Sequence, residues 1–455
     1  MNSTVTKEYQ QAFDSGKSYF STCEEIVCGD VLALYAVAET AKGARYFWRN
    51  PDQTMTIAAF HWLIDYQAPS LATFDAIQND VKKNHYQPET DACQALLLGG
   101  FAFDTHRAAQ DEWGQLGSGL FVLPEIMIKQ EGTKTWAVYT VTAADEAERL
   151  TKVAALHGQV LLWLAACRQE KQTSSYAVMT DQVEVAVPEW LQAVDATVQA
   201  IKDPITDLTK VVLARQMRLT TTDTMHSETV LAHLNQQQPS TYLFALEQGD
   251  TFFIGATPER LLKGTNEYFE TVSIAGSAPR GQTEAEDQVL AEGLLSDPKN
   301  THEHQVVVDR LAHALSTLIE DGFHSEKRSV IKNRDIQHLF VPLKGKRKPA
   351  VSFLTAVQKL HPTPALGGEP KEAAVQWIRD HEPKSRGMYG GPIGWLGIQE
   401  DTGEFAVAIR SGVVTKNEAT LYAGCGIVAD SQALAEQQET RLKFQPMRRG
   451  IIGDV

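Results

Sequence analysis

A chain of 455 residues, 43% of them hydrophobic, can bury a large core, as one big domain or two ordinary ones. A formal net charge of −15 repels nucleic acid and anionic membranes, so neither is an expected partner, and an anionic substrate would need cations supplied by the site itself. Five scattered cysteines (Cys23, Cys28, Cys93, Cys167 and Cys425) are odd in number and form no CxxC pair, so neither a disulfide framework nor a zinc knuckle is indicated, and a reducing cytoplasm fits.

The opening MNSTVTKEYQQ lacks the basic and apolar regions of a secretion signal. No uninterrupted apolar run reaches the roughly 18 residues of a membrane span. Residues 31–37, 46–48 and 55–60 read as short strands punctuated by Gly, Pro and Asp, and 120–128 reads as another. Apolar residues recur at helical spacing from Asp145 to Glu170, and Pro188 to Lys202 reads as a second helix. Strands are predicted at 208–220, 241–247, 251–256 and 267–275, and helices at 284–296 and about 299–320. Strands at 391–399, 404–414 and 419–424 precede a final helix from about 431. Runs of strands beside separate helices indicate an α/β (α+β) fold with largely antiparallel sheet. One interwoven domain over 1–455 is favoured, with a strand-rich half at 1–200 and a motif-bearing half at 205–455.

The residues able to do chemistry lie in the second half. Lys210 opens KVVLAR, where alternation puts it on the face of Val212 and Ala214. Burial there would lower its pKa toward that of a general base, whereas a strand-end lysine commonly reaches into water. Glu259 follows Thr257 and Pro258, a combination that suits a helix start; it also suits a carboxylic acid beside a glycine-approached ligand. His302 and His304, two apart on a predicted helix, point away from each other and cannot chelate one ion. Glu303 between them is a candidate oxygen ligand for a hard cation. Glu436, Glu439 and Lys443 share a face of the last helix, either as an exposed ion pair or as a metal and anion site. YAGCGIV from Tyr422 reads as a small-residue turn whose amides could face an anion. Cys425 within it has no activating neighbour in sequence and reads as a small buried cysteine.

The order of these segments is more specific than any one of them. KVVLAR (from Lys210), GATPE (Gly255), IAGSA (Ile274), HEH (His302), HPTPA (His361), YGGPIGW (Tyr389), AIRS (Ala408) and AGCGIV (Ala423) together resemble the chorismate-utilising enzymes, most closely the isochorismate synthases of menaquinone type. The resemblance runs from about 205 to the end. It implies two stacked, largely antiparallel sheets flanked by helices, a Mg²⁺ requirement, no obligate protein partner, and conversion of chorismate to isochorismate: water adds at ring carbon 2 as hydroxyl leaves ring carbon 4. It further implies Lys210 as general base and Glu259 as general acid, with Glu303 and Glu439 on Mg²⁺ and Glu436 assisting. Tyr389, Arg410, Lys443 and amides near Gly424 and Gly426 would hold the enol-pyruvyl carboxylate. Gly276, Ser277, His338 and Leu366 would line the pocket.

Within the family, Lys210 stands where anthranilate synthases usually carry Gln, and Ala275 where aminodeoxychorismate synthases carry a nucleophilic lysine. Leu366 resembles isochorismate rather than salicylate synthases, while Tyr389 occurs in salicylate synthases too. Salicylate synthase and siderophore-pathway isochorismate synthase are the alternatives. A degenerate chorismate-binding protein is the non-enzymic one, and retention of the base, acid and metal positions counts against it.

Overall fold

The computed structural model describes residues 3–67, 70–168, 175–334 and 336–454. Its strands join into one hydrogen-bonded network, antiparallel among the described residues except where Tyr19–Ile26 meets His85–Tyr86. The arms of the network meet at Gly119–Glu131. Met55–Gln67 pairs along one edge of that strand; Leu96–Phe101 and Lys134–Thr142 share the other. From Met55–Gln67 one arm runs through Arg45–Arg49, Tyr242–Gln248, Thr251–Thr257, Ser411–Thr415 and Glu418–Ile427 to Lys210–Thr221. From Leu96–Phe101 the other runs through Pro392–Gly397, Gly403–Val407, Arg260–Gly264 and Tyr268–Pro279 to Ile336–Lys346.

These arms are the two stacked sheets expected from the sequence. The Tyr46 hydroxyl donates to the Gly394 carbonyl at 2.7 Å, and the Tyr242 hydroxyl to Glu404 at 2.7 Å, so each arm reaches across to the other. Between them Trp48, Phe121, Phe244, Phe253 and Phe405 are fully buried. Each such side chain contributes on the order of 1.5–3 kcal/mol relative to exposure. Strand alternation builds a second core behind the first arm: Tyr46 and Trp48 face inward, while Phe47 packs outward under helices Val31–Val37, Ser227–Gln237 and Ala433–Ile452.

Residues before 190 supply strands to both arms, pairing 46–49 with 243–246 and 96–100 with 393–397. Most predicted elements stand within a few residues of their expected ends. Three do not. Residues 31–37 form a helix, because the Asp30 carboxylate caps it by accepting from the Leu32 N–H at 2.8 Å. The strand expected over 404–414 is two strands broken at Arg410, whose φ is 50°. No helix starts at Thr257; a strand follows at Arg260–Gly264.

The predicted helix from Asp145 is Glu146–Cys167, 22 residues with a window of mean hydropathy 1.4. By length and composition alone it is long and apolar enough to cross a membrane, a property that Thr151, Lys152, His157 and Gln159 disguise in the sequence. Here Val160 and Trp163 are buried against the fold while Leu161 and Leu162 face outward.

Candidate active site

The site forms where the two arms approach each other beside the last helix. Lys210 and Gly426 lie on neighbouring strands, Lys210–Thr221 and Glu418–Ile427, which pair from Val211–Ile427 to Thr220–Glu418. The run predicted as a glycine turn is therefore strand interior. Its glycines are explained by what crosses them. A Cβ on Gly426 would lie 2.7 Å from Lys210 Cε, and one on Gly424 would lie 3.3 Å from the Tyr389 hydroxyl. The Val212 and Ala214 N–H groups, opposite Gly426 and Gly424, bond away from this pairing, to Gly367 and Glu382. Gly424 and Gly426 thus turn their own amides to the other edge, in keeping with the alternation of antiparallel pairs. There Lys443 donates to the Gly424 carbonyl at 2.9 Å.

Glu259 sits in the two-residue break between Thr251–Thr257 and Arg260–Gly264, held by its own carbonyl accepting from the Val407 N–H at 2.9 Å. Burial raises its carboxyl pKa to about 7, against the opposing pull of Arg410, Lys210 and Lys443. All three cations therefore act on one carboxyl, and desolvation still prevails. Arg410 occupies the left-handed region at φ 50°, a conformation costing a non-glycine residue about 1–3 kcal/mol, and its carbonyl accepts from the Ala256 N–H.

On the opposite wall, Gly276 (φ 72°) makes a bulge between the pairs Ala275–Leu339 and Ser277–His338. The bulge brings the Ser277 hydroxyl to 2.8 Å from His338 Nδ1. Burial, reinforced by Arg410 and Lys443, lowers the His338 pKa to about 3, so its imidazole is neutral. Tyr389 stacks on Tyr422 with ring centroids 5.2 Å apart, and burial raises its hydroxyl to about 12. It is a neutral hydrogen-bond donor at any working pH. Leu366 is buried, with its Cδ1 close against Gly390.

Ser277, Arg410, Glu439 and Lys443 line a cavity of about 690 Å³. Gln238, Thr241, Leu442, Pro446 and Arg449 also line it, residues that sequence reasoning did not single out. Glu439 and Lys443 pair at 2.6 Å, so the simple ion-pair reading of that helix face holds alongside the cavity-lining one. Glu436, one turn earlier, is half-buried and bonded to the Cys425 thiol. Cys425 is buried and its thiol pKa is pushed well up, as suits a packing residue.

Glu303 lies on the helix Pro298–Leu315, but its side chain is outside the described residues. The flanking histidines diverge as expected: His302 is exposed, while His304 is buried with Nε2 3.3 Å from the Ser273 carbonyl. Among the described residues no group of three or more His, Cys, Asp or Glu side chains converges as a metal cage. Glu439 lines the cavity and Glu436 stands one turn away on the same helix, two carboxylates being the number Mg²⁺ commonly takes from a protein when a substrate supplies the rest.

A buried carboxylic acid with its pKa raised to about 7, acted on by Arg410, Lys210 and Lys443, defines an acid–base enzyme for a small anion. The family described as "Chorismate binding enzyme" matches residues 6–452, and the chain belongs to it. It is 34% identical over 470 aligned positions to the protein named Isochorismate synthase MenF of Bacillus subtilis, covering 99% of this chain and 98% of that protein. It is 33% identical to the Salicylate biosynthesis isochorismate synthase of Pseudomonas aeruginosa, covering 93% and 88%. Its fold matches the solved structure of MenF, the menaquinone-specific isochorismate synthase from Escherichia coli, with a TM-score of 0.79 over 98% of this chain and 99% of that one, at 21% identity.

Proposed function

We propose that this chain is an isochorismate synthase that interconverts chorismate and isochorismate and feeds menaquinone synthesis. The full-length likeness to relatives of that name supports the reaction and the pathway. The single observation that carries the mechanism is Glu259, a carboxylic acid with its pKa near 7 under the influence of Lys210.

Hydroxide is a poor leaving group, so the ring carbon 4 hydroxyl must be protonated as it departs. Glu259, whose raised pKa of about 7 keeps a substantial share of it protonated at neutral pH, supplies that proton. Lys210, crossing Gly426, takes a proton from the water that attacks ring carbon 2. Proton transfers of this kind contribute about 10²–10⁴-fold each. Arg410, Lys443, the Tyr389 hydroxyl and the amides of Gly424 and Gly426 orient the enol-pyruvyl carboxylate. Ser277 and the neutral His338, with Gly276 and Leu366, shape the ring side of the pocket. Arg410 and Lys443 also answer the electrostatic problem set by the acidic chain, since they place positive charge where a dianion must bind.

The two carboxylates on the last helix fit a hard divalent cation. Glu439, assisted by Glu436 and together with Glu303, would hold Mg²⁺, which would supply charge neutralisation at the ring carboxylate. Residues 1–455 act as one interwoven unit, supported by strands before 200 pairing into both arms. We place the enzyme in the cytoplasm, supported by an odd, scattered set of five cysteines with no CxxC pair. Its partner is its substrate, with no obligate protein, nucleic-acid or membrane partner.

Incubation of the purified chain with chorismate and Mg²⁺, followed by chromatography, tests the assignment. Isochorismate in reversible balance with chorismate is expected. Release of pyruvate and salicylate would identify a salicylate synthase instead, and unchanged chorismate a binding protein.

A further inference from the structure

The strand that carries Lys210 has a gap along one edge. Gly368–Glu369 pairs with Lys210 and Val211, and Met179–Glu184 pairs with Met217–Thr221. Between them, over Val212 to Arg215, no described strand pairs on that side. Buried backbone groups cannot be left unmatched there without cost. The Val212 N–H donates to the Gly367 carbonyl at 2.9 Å. Two buried side chains match two more: the Ala214 N–H donates to Glu382 Oε2 at 2.7 Å, and Arg386 Nη2 donates to the Val212 carbonyl at 2.7 Å.

Glu382 and Arg386 also bind each other in a forked pair, Nε to Oε1 at 2.9 Å and Nη2 to Oε2 at 2.7 Å, with side chains 1% and 3% exposed. Arg386 then reaches two more parts of the proposed site. Its Nη1 donates to the Leu366 carbonyl at 2.9 Å, and its own carbonyl accepts from the Tyr389 N–H at 2.9 Å. Its guanidinium lies 4.1 Å over the Phe103 ring. One planar fork thus links the base-bearing strand, the Leu366 loop and the Tyr389 turn. A buried ion pair is a poor device for stability alone, since apolar residues of equal volume commonly serve as well. A fork with fixed donor directions is a good device for geometry.

We propose that Glu382 and Arg386 are positioning residues: the pair stands in for the missing strand beside Lys210 and sets where Lys210 lies relative to Leu366 and Tyr389. The proposal rests on the reading of Lys210 as the base. Chemistry responds more steeply to displacement of the base than ground-state binding responds to displacement of Leu366 or Tyr389.

Arg386→Lys keeps the charge beside Glu382 but cannot span Glu382, Val212 and Leu366 together. In the full chain with chorismate and Mg²⁺, Arg386→Lys is expected to lower kcat at least about tenfold per folded molecule while KM changes by less than about threefold. A kcat within twofold of wild type, or a loss that only tracks the unfolded fraction seen by circular dichroism, overturns the proposal. Should Arg386→Lys not fold, Glu382→Gln, whose amide oxygen still accepts from Ala214, is judged by the same criteria; failure of both to fold marks the pair as a folding element and also overturns it. A wild-type chain that makes no isochorismate sinks the reading of the site, and the positioning role with it.

Discussion

Glu259 is the residue whose environment makes the sharpest demand. Its pKa rises from 4.5 to about 7 on folding because burial disfavours the carboxylate. A rise of that size corresponds to roughly 3 kcal/mol. A raised carboxyl means that the folded state holds its proton more tightly than the unfolded state. Wild-type stability is then undiminished below pH about 4.5, falls as pH rises toward 7, and stays lower above it. Glu259→Gln removes the ionisation and should be more stable than wild type by up to about 3 kcal/mol at pH 8, with the difference vanishing near pH 4.5. For a chain of this size that is a Tm difference of roughly 3 °C. The same proton is needed in catalysis, so wild-type kcat/KM should decline above pH about 7, and the variant should be inactive throughout. Scanning calorimetry across pH, with initial rates on chorismate, reads both effects. A stability difference independent of pH, or a kcat/KM that climbs unbroken from pH 6 to 9, would refute the argument from burial.

Two further outcomes test other parts of the site. Thorough chelation with EDTA should abolish turnover, and Glu439→Ala should raise the Mg²⁺ concentration for half-activation at least about tenfold, read by titrating Mg²⁺ at saturating chorismate; unchanged activity after chelation would contradict the metal role. Gly426→Ala places a methyl 2.7 Å from Lys210 Cε in a strand that tolerates alanine, so kcat should fall by about 10²-fold while the melting temperature stays near wild type.

Much of this site was legible in the sequence, for a physical reason. Lys210, Glu259, Arg410 and Lys443 sit in segments whose composition is constrained by what passes close to them, and those constraints leave marks such as GATPE and AGCGIV. What was misread were local conformations decided by distant neighbours. Thr257 and Pro258 have the chemistry of a helix start, yet pairing with Ala406 and Phe405 draws the following residues into a strand. Gly424 and Gly426 look like a turn, yet they are small because Tyr389 and Lys210 cross the strand face. Val31 to Val37 is a short apolar run that reads like a strand, and only the Asp30 cap and the cover needed over Phe47 and Phe60 make it a helix. Glu382 and Arg386 were not singled out, because no sequence pattern marks which backbone groups lack a strand.

The account depends most on a lysine and a carboxylic acid exchanging water for hydroxyl on one ring, and oxygen-18 water tests that directly. With the wild-type chain, isochorismate formed in labelled water should carry one heavy oxygen at ring carbon 2, and Lys210→Ala, though folded, should form none. Isochorismate without the label, or labelled product at a near-normal rate from Lys210→Ala, would contradict it.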